Sequence, residues 1–144
     1  MIPNFKKSGL LPTGVHSATW GEFEKIFATN PHRKNLLQGL REALKVLYSF
    51  GCKEIYVGGS FVTDKPEPAD IDVCYDNSGI EWNRFLKQNP EFMPTRYGNK
   101  QQKKKYGCEF FAVNAFEDNM VQFFQFDNSG KPKGIIKIRF SEQL

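Results

Sequence analysis

Two carboxylates, Asp70 and Asp72, stand two residues apart in the stretch Asp70-Ile71-Asp72-Val73. If that stretch is a strand, both side chains leave one face, roughly 6.6 Å apart along it, while Ile71 and Val73 turn to the core. No Lys or Arg adjoins them in sequence, so the two charges repel. A pair of Mg²⁺ ions about 3.5–4 Å apart would relieve that repulsion and clamp an in-line phosphoryl displacement. A strand with one wet face gives the same pattern without any chemistry, and an isolated Asp-x-Asp does not separate the two.

Upstream lies Val57-Gly58-Gly59-Ser60. Two glycines after a strand let the backbone approach a phosphate and present N–H groups, and the Ser60 hydroxyl adds a donor. A helix starting at Ser60 would add its N-terminal dipole. Gly-Gly-Ser alone is equally an ordinary tight turn with a serine cap.

Together the two stretches are far more specific. The order strand, Gly59-Ser60, loop, Asp70-hydrophobic-Asp72 resembles the signature of the polymerase-beta-like nucleotidyltransferase superfamily, in its minimal single-domain type. Several minimal members belong to toxin–antitoxin pairs. The segments Leu11-Pro12-Thr13-Gly14-Val15-His16, Asn30-Pro31-His32-Arg33, Gly59-Ser60-Phe61-Val62-Thr63 and Lys131-Pro132-Lys133-Gly134-Ile135-Ile136 are similar to an uncharacterised bacterial and phage group of that superfamily.

The resemblance implies Mg²⁺-dependent transfer of a nucleoside monophosphate from an NTP, ATP foremost, to an RNA, protein or small-molecule acceptor. Asp70 and Asp72 would hold two Mg²⁺ ions, and Gly58, Gly59 and Ser60 would grip the phosphates. A third carboxylate comes from a later strand in that superfamily, more often as Asp; the matching residue here is Glu109, in Cys108-Glu109-Phe110-Phe111. Many minimal members carry Arg-Gly after the Gly-Ser. This chain has Phe61-Val62-Thr63-Asp64-Lys65 instead, which makes Lys65 the candidate cation at the triphosphate, against a plain solvated loop lysine. A catalytically inactive nucleotide-binding module, or a toxin or antitoxin partner on the same fold, remains an alternative, since fold does not fix function. Lys103-Lys104-Lys105 beside Tyr97 and Tyr106 could also guide RNA, or simply form a charged surface loop.

The elements that must position these residues follow from spacing. Residues 1–17, with Pro3, Gly9, Pro12 and Gly14, read as an extended arm, and residues 18–144 as the nucleotidyltransferase-like domain. Thr19-x-x-Glu22 is a capping-box spacing and Asn30-Pro31 a second helix start. Leu36, Leu37, Leu40, Ala43, Leu44 and Leu47 then form one helical stripe up to Gly51. Strands are expected over 54–57, 70–75, 108–113 and 134–140. A helix capped by Asn77-Ser78 and ended by Asn89-Pro90 is expected, then a polar stretch over 95–107 and a helix over 118–126. The sum is one α/β (α+β) domain, a mixed sheet flanked by helices.

Composition agrees. The 144 residues are 40% hydrophobic and 25% charged, with fourteen Phe to build an aromatic core. The net charge of +4 favours an anionic partner only mildly. Three cysteines without a C-x-x-C or Cys/His cluster argue against a disulfide framework and a zinc site. With no signal-like start and no long apolar run, the chain reads as cytoplasmic, with no membrane partner.

Overall fold

The computed structural model describes residues 2–113, 124–127 and 129–140. Among them, strands β1 (Val15–Ala18), β2 (Glu54–Gly58), β3 (Ile71–Asp76), β4 (Cys108–Val113) and β5 (Ile135–Arg139) form one mixed sheet in the order β1-β5-β2-β3-β4. The pairs β1/β5 and β3/β4 are parallel, whereas β2 runs antiparallel to both β5 and β3. Helices α1 (Trp20–Phe27), α2 (Pro31–Ser49), α3 (Trp82–Gln88) and α4 (Arg96–Tyr106) complete a single small α+β domain. No helix among the described residues is long and apolar enough to cross a membrane.

The period of two along the strands divides the sheet into two faces. Ile55, Val57, Ile71, Val73, Tyr75, Ile136 and Ile138 share one buried core with the apolar sides of α1, α2 and α3. Phe23, Phe27 and Phe61 stack at one end of it, and Tyr75, Phe85, Phe92 and Phe110 at the other. The opposite face carries a smaller cluster of Cys74, Val113, Phe124 and Ile135. Asp72 and Glu109 alternate with core residues of β3 and β4, so they lie on that thinner face.

Helix boundaries follow local chemistry. Thr19 and Glu22 close a reciprocal capping box on α1, and the Asn30 side chain accepts from Arg33 N–H with Pro31 in the first turn of α2. The end of α2 is a Schellman motif: Cys52 N–H bonds the Leu47 carbonyl and Gly51 N–H the Tyr48 carbonyl. Gly51, at φ +101°, supplies the left-handed residue this turn needs.

Three expectations need revision. The cap of α3 is Glu81, whose carboxylate accepts from Arg84 N–H; Asn77 and Ser78 instead form a turn after β3, with Ser78 N–H on Asp76 Oδ1. The polar stretch before β4 is helix α4. Among its described side chains the inward ones are Asn99, Gln102 and Tyr106, mostly polar, so hydrophobic spacing does not announce it. The N-terminal arm is woven into the domain, with Leu11 buried and Val15–Ala18 serving as β1. The helix expected over 118–126 falls mostly outside the described residues; Phe124 and Gln125 form a turn, and Phe126 bridges to Pro132.

One buried side chain fixes the loop between Gly59-Ser60 and Asp70. Arg33, on α2, is 2% exposed. Its guanidinium donates to the carbonyls of Phe27, Phe61, Thr63 and Lys65 and lies 4.7 Å from the centre of the Phe61 ring. Beside it, Asn30 Nδ2 donates to Pro66 O at 2.7 Å and His32 Nε2 bonds Pro68 O at 2.5 Å. Both histidines serve loops, since His16 Nε2 bonds Pro12 O. Arg33→Ala would strand several buried carbonyls, so the expected loss is about 3 kcal/mol or more in denaturant unfolding. Arg33→Lys, with one ammonium in place of a planar fork, should recover less than half of that loss. A Lys variant as stable as the natural protein would contradict this account.

Candidate metal and phosphate site

The site forms where one end of the sheet gathers several chain reversals. There β2 ends, and β3, β4 and β5 begin, because β2 is antiparallel to its two neighbours and β3 parallels β4. Register sets Asp72 between Gly58 on β2 and Glu109 on β4. Asp70 precedes the first residue of β3, where Ile71 N–H bonds the Gly107 carbonyl. One carboxylate oxygen each from Asp70, Asp72 and Glu109 lies within 4.8 Å of the others. The expected third carboxylate is therefore brought to the other two.

The Gly59-Ser60 turn closes on this cluster. Gly59 sits at φ +72°, and a Cβ there would come within 2.3 Å of Asp72 Oδ2. Only glycine allows both that backbone angle and that approach. A Cβ on Gly58 would meet the Phe124 ring. Ser60 begins no long helix: Gly59–Val62 is a single 3-10 turn, with Thr63 N–H and Oγ1–H both on the Ser60 carbonyl. The half-buried Ser60 hydroxyl bonds no described residue.

Two cations reach the triad from distant parts of the chain. Lys65 lies exposed in the loop, and its carbonyl is held by Arg33. Instead Lys103 Nζ bridges Asp70 Oδ2 at 3.3 Å and Glu109 Oε2 at 3.5 Å. Asn99, one turn earlier on α4, donates to Glu109 Oε1 at 3.1 Å. Helix α4 is fixed for this task. Gln102 accepts from the Phe110 N–H at the sheet edge, and the Tyr106 carbonyl packs against Gly39 of α2, where a Cβ would clash. Lys105 pairs instead with Glu91. The second cation, Lys133, precedes β5 and stands close enough to Asp72 for their charges to interact.

Titration reflects this crowding. Burial, then the charges of Asp70 and Glu109, push the Asp72 carboxyl up to about 6, against the milder pull of Lys103 and Lys133. Hydrogen bonding to Asp70 and the charge of Glu109 hold the Lys103 ammonium above its ordinary range. The three buried thiols, Cys52, Cys74 and Cys108, are pushed up by burial and stay protonated.

Hard oxygen donors suit Mg²⁺ rather than zinc. At ~2.1 Å from an octahedral Mg²⁺, adjacent ligands stand about 3.0 Å apart and opposed ones about 4.2 Å, so the triad, within 4.8 Å, would close by up to about 2 Å around one ion. A cleft of about 730 Å³ opens beside Glu109, lined by Thr95, Asn99, Lys100, Lys103 and Phe111 among others.

A family profile matches residues 3–139, that of the family of unknown function DUF6932, and the chain belongs to this family. No curated protein matches the chain, and no solved structure does.

The raised Asp72 value has a testable sign. Folded Asp72 holds its proton to about pH 6, whereas the unfolded carboxyl loses it near 4. The folded state therefore binds more protons in that window, and metal-free stability falls as pH rises through it. Asp72→Asn should stabilise the metal-free protein by about 2 kcal/mol at pH 7, with the gain shrinking toward pH 4. Thermal melts in chelator check this, and a variant less stable at pH 7 would contradict it.

Proposed function

We propose that the protein is a metal-dependent nucleotidyltransferase, moving a nucleoside monophosphate from an NTP to an acceptor hydroxyl. The observation that supports this best is the meeting of Asp70, Asp72 and Glu109 within 4.8 Å beside the Gly59-Ser60 turn. Three crowded carboxylates are costly in a resting protein, and cation and phosphate binding would turn that cost to use.

Asp70 and Asp72 would hold Mg²⁺, with Glu109 completing the set. The metal supplies charge neutralisation at the phosphates and orientation of the reacting oxygens. Ser60 donates its free hydroxyl to a phosphate oxygen, and the Gly59 turn brings backbone against the same group. Glu109, next to the open cleft, takes the acceptor's proton as the acceptor oxygen bonds the α-phosphorus. The bond from that phosphorus to the β-bridging oxygen breaks, and pyrophosphate leaves. Positioning and charge stabilisation dominate such chemistry, so a domain of this size suffices. RNA ends, protein hydroxyls and small molecules are all admissible acceptors for the cleft.

One observation favours a second reading. Lys103 already bridges Asp70 and Glu109, as it would in a module that binds nucleotide or a toxin–antitoxin partner without catalysis. Incubation with each labelled NTP, Mg²⁺ or Mn²⁺, and total RNA or lysate separates the two. Label transferred to an acceptor supports the enzyme. Glu109→Gln should then reduce transfer at least about a hundredfold, while NTP affinity changes less than about threefold. Nucleotide binding without transfer under any of these conditions would support the inactive module.

A further inference from the structure

Lys133 is a charged residue with no role in the fold described so far. It is 9% exposed, yet its ammonium forms neither a hydrogen bond nor an ion pair with any described residue. A buried lysine without a partner is costly, because desolvation disfavours its charge. Burial accordingly lowers its proton affinity, while the fields of Asp72 and Asp127 partly restore it. Nothing in the packing needs an ammonium here; Met would fill the same volume.

Its place in the sheet gives the charge a purpose. Lys133 stands two residues before Ile135, which shares the thinner face of the sheet with Cys74 of β3. Strand β5 is antiparallel to β2, with Val57 opposite Ile136. The residues before β5 therefore approach the residues after β2, namely Gly59 and Ser60. The Lys133 backbone is anchored there, its N–H on the Gln125 carbonyl, and Gly134 N–H bonds the Leu11 carbonyl. Lys133 also lines a cleft of about 510 Å³ with Thr13, Gln125, Phe126 and Pro132. The Ser60 hydroxyl, the Gly59 turn and the Lys133 ammonium, none of them bonded to another described side chain, thus border the triad at one sheet end.

We infer that Lys133 is the phosphate-binding cation of this site, taking the terminal phosphates of a nucleoside triphosphate whose α-phosphate lies at the triad. The inference rests on the nucleotidyltransferase reading for the nucleoside, but not for the polyphosphate. Lys103 starts in contact with Asp70 and Glu109, whereas Lys133 touches no described carboxylate. Lys133 is pre-placed and largely buried, with no anion of the described residues in contact. An anionic ligand there gains a strong ion pair and relieves a buried charge at the same time.

Calorimetric titration with inorganic tripolyphosphate and with Mg-ATP tests this on the natural chain and on K133M, K133R, K104M and D72N. K133M should weaken tripolyphosphate by about tenfold or more, the worth of one hydrogen bond to a charged group, with K133R intermediate and K104M unchanged. K133M should also melt no lower than the natural chain without ligand, since burial costs the Lys133 ammonium more than the fields of Asp72 and Asp127 return. D72N should lose the Mg²⁺ dependence of Mg-ATP binding. Equal tripolyphosphate affinity in K133M and the natural chain, or no tripolyphosphate binding by the natural chain, would overturn the assignment of Lys133. Tripolyphosphate binding that depends on Lys133, with no binding of Mg-ATP, would instead defeat the nucleotidyltransferase reading and leave Lys133 standing.

Discussion

The constraint that organises this molecule is the crowding of three carboxylates at one end of its sheet. Asp72 is set between Gly58 and Glu109 by strand register, and Asp70 is set by the entry into β3. Strand pairing fixes the backbone positions of Asp72 and Glu109 in the middle and at the edge of the sheet. The surroundings are arranged to tolerate it. Lys103 supplies a cation on a helix fixed by Gln102 and Gly39, and Lys133 a second from the start of β5. Neither neutralises the cluster fully, since three negative groups face two lysines, one of them partly desolvated. The residual repulsion is what a divalent cation would use.

The same end of the sheet depends on α2. Helix α2 packs an apolar stripe into the main core and turns its first residues to the loop after Ser60. Arg33, Asn30 and His32 together satisfy the carbonyls of a segment with no regular structure of its own. Buried backbone carbonyls need such partners. The position of Gly59-Ser60 against Asp72 is therefore held from the helix side as well as from the sheet. Small residues are needed where this becomes tight, at Gly59 against the carboxylate and at Gly39 against the end of α4.

Much of this could be read from residue order. The capping box at Thr19, the Asn30-Pro31 start and the leucine stripe of α2 are local signals, and the structure follows them. The period of two in Asp70–Val73 and in Cys108–Val113 assigned faces correctly, and Glu109 joins the two aspartates. What failed to show was anything encoded by distant partners. Helix α4 turns Asn99 and Gln102 inward, polar residues whose value lies in their bonds to Glu109 and to Phe110 N–H, so hydrophobic periodicity could not reveal it. Likewise, no lysine adjoins Asp70 or Asp72 in sequence, and parallel pairing of β3 with β4 was needed to bring Lys103 over them. Lys65, close in sequence, is exposed in a loop that Arg33 holds by the backbone.

The central claim is that Asp70, Asp72 and Glu109 are a divalent-cation site. Diffraction from crystals soaked in Mn²⁺, recorded at its absorption edge, addresses it directly. The account predicts an anomalous peak within about 2.2 Å of an oxygen from each of the three carboxylates, with Lys103 moved off Asp70. Absence of any such peak at saturating Mn²⁺, with Lys103 still bridging Asp70 and Glu109, would contradict it.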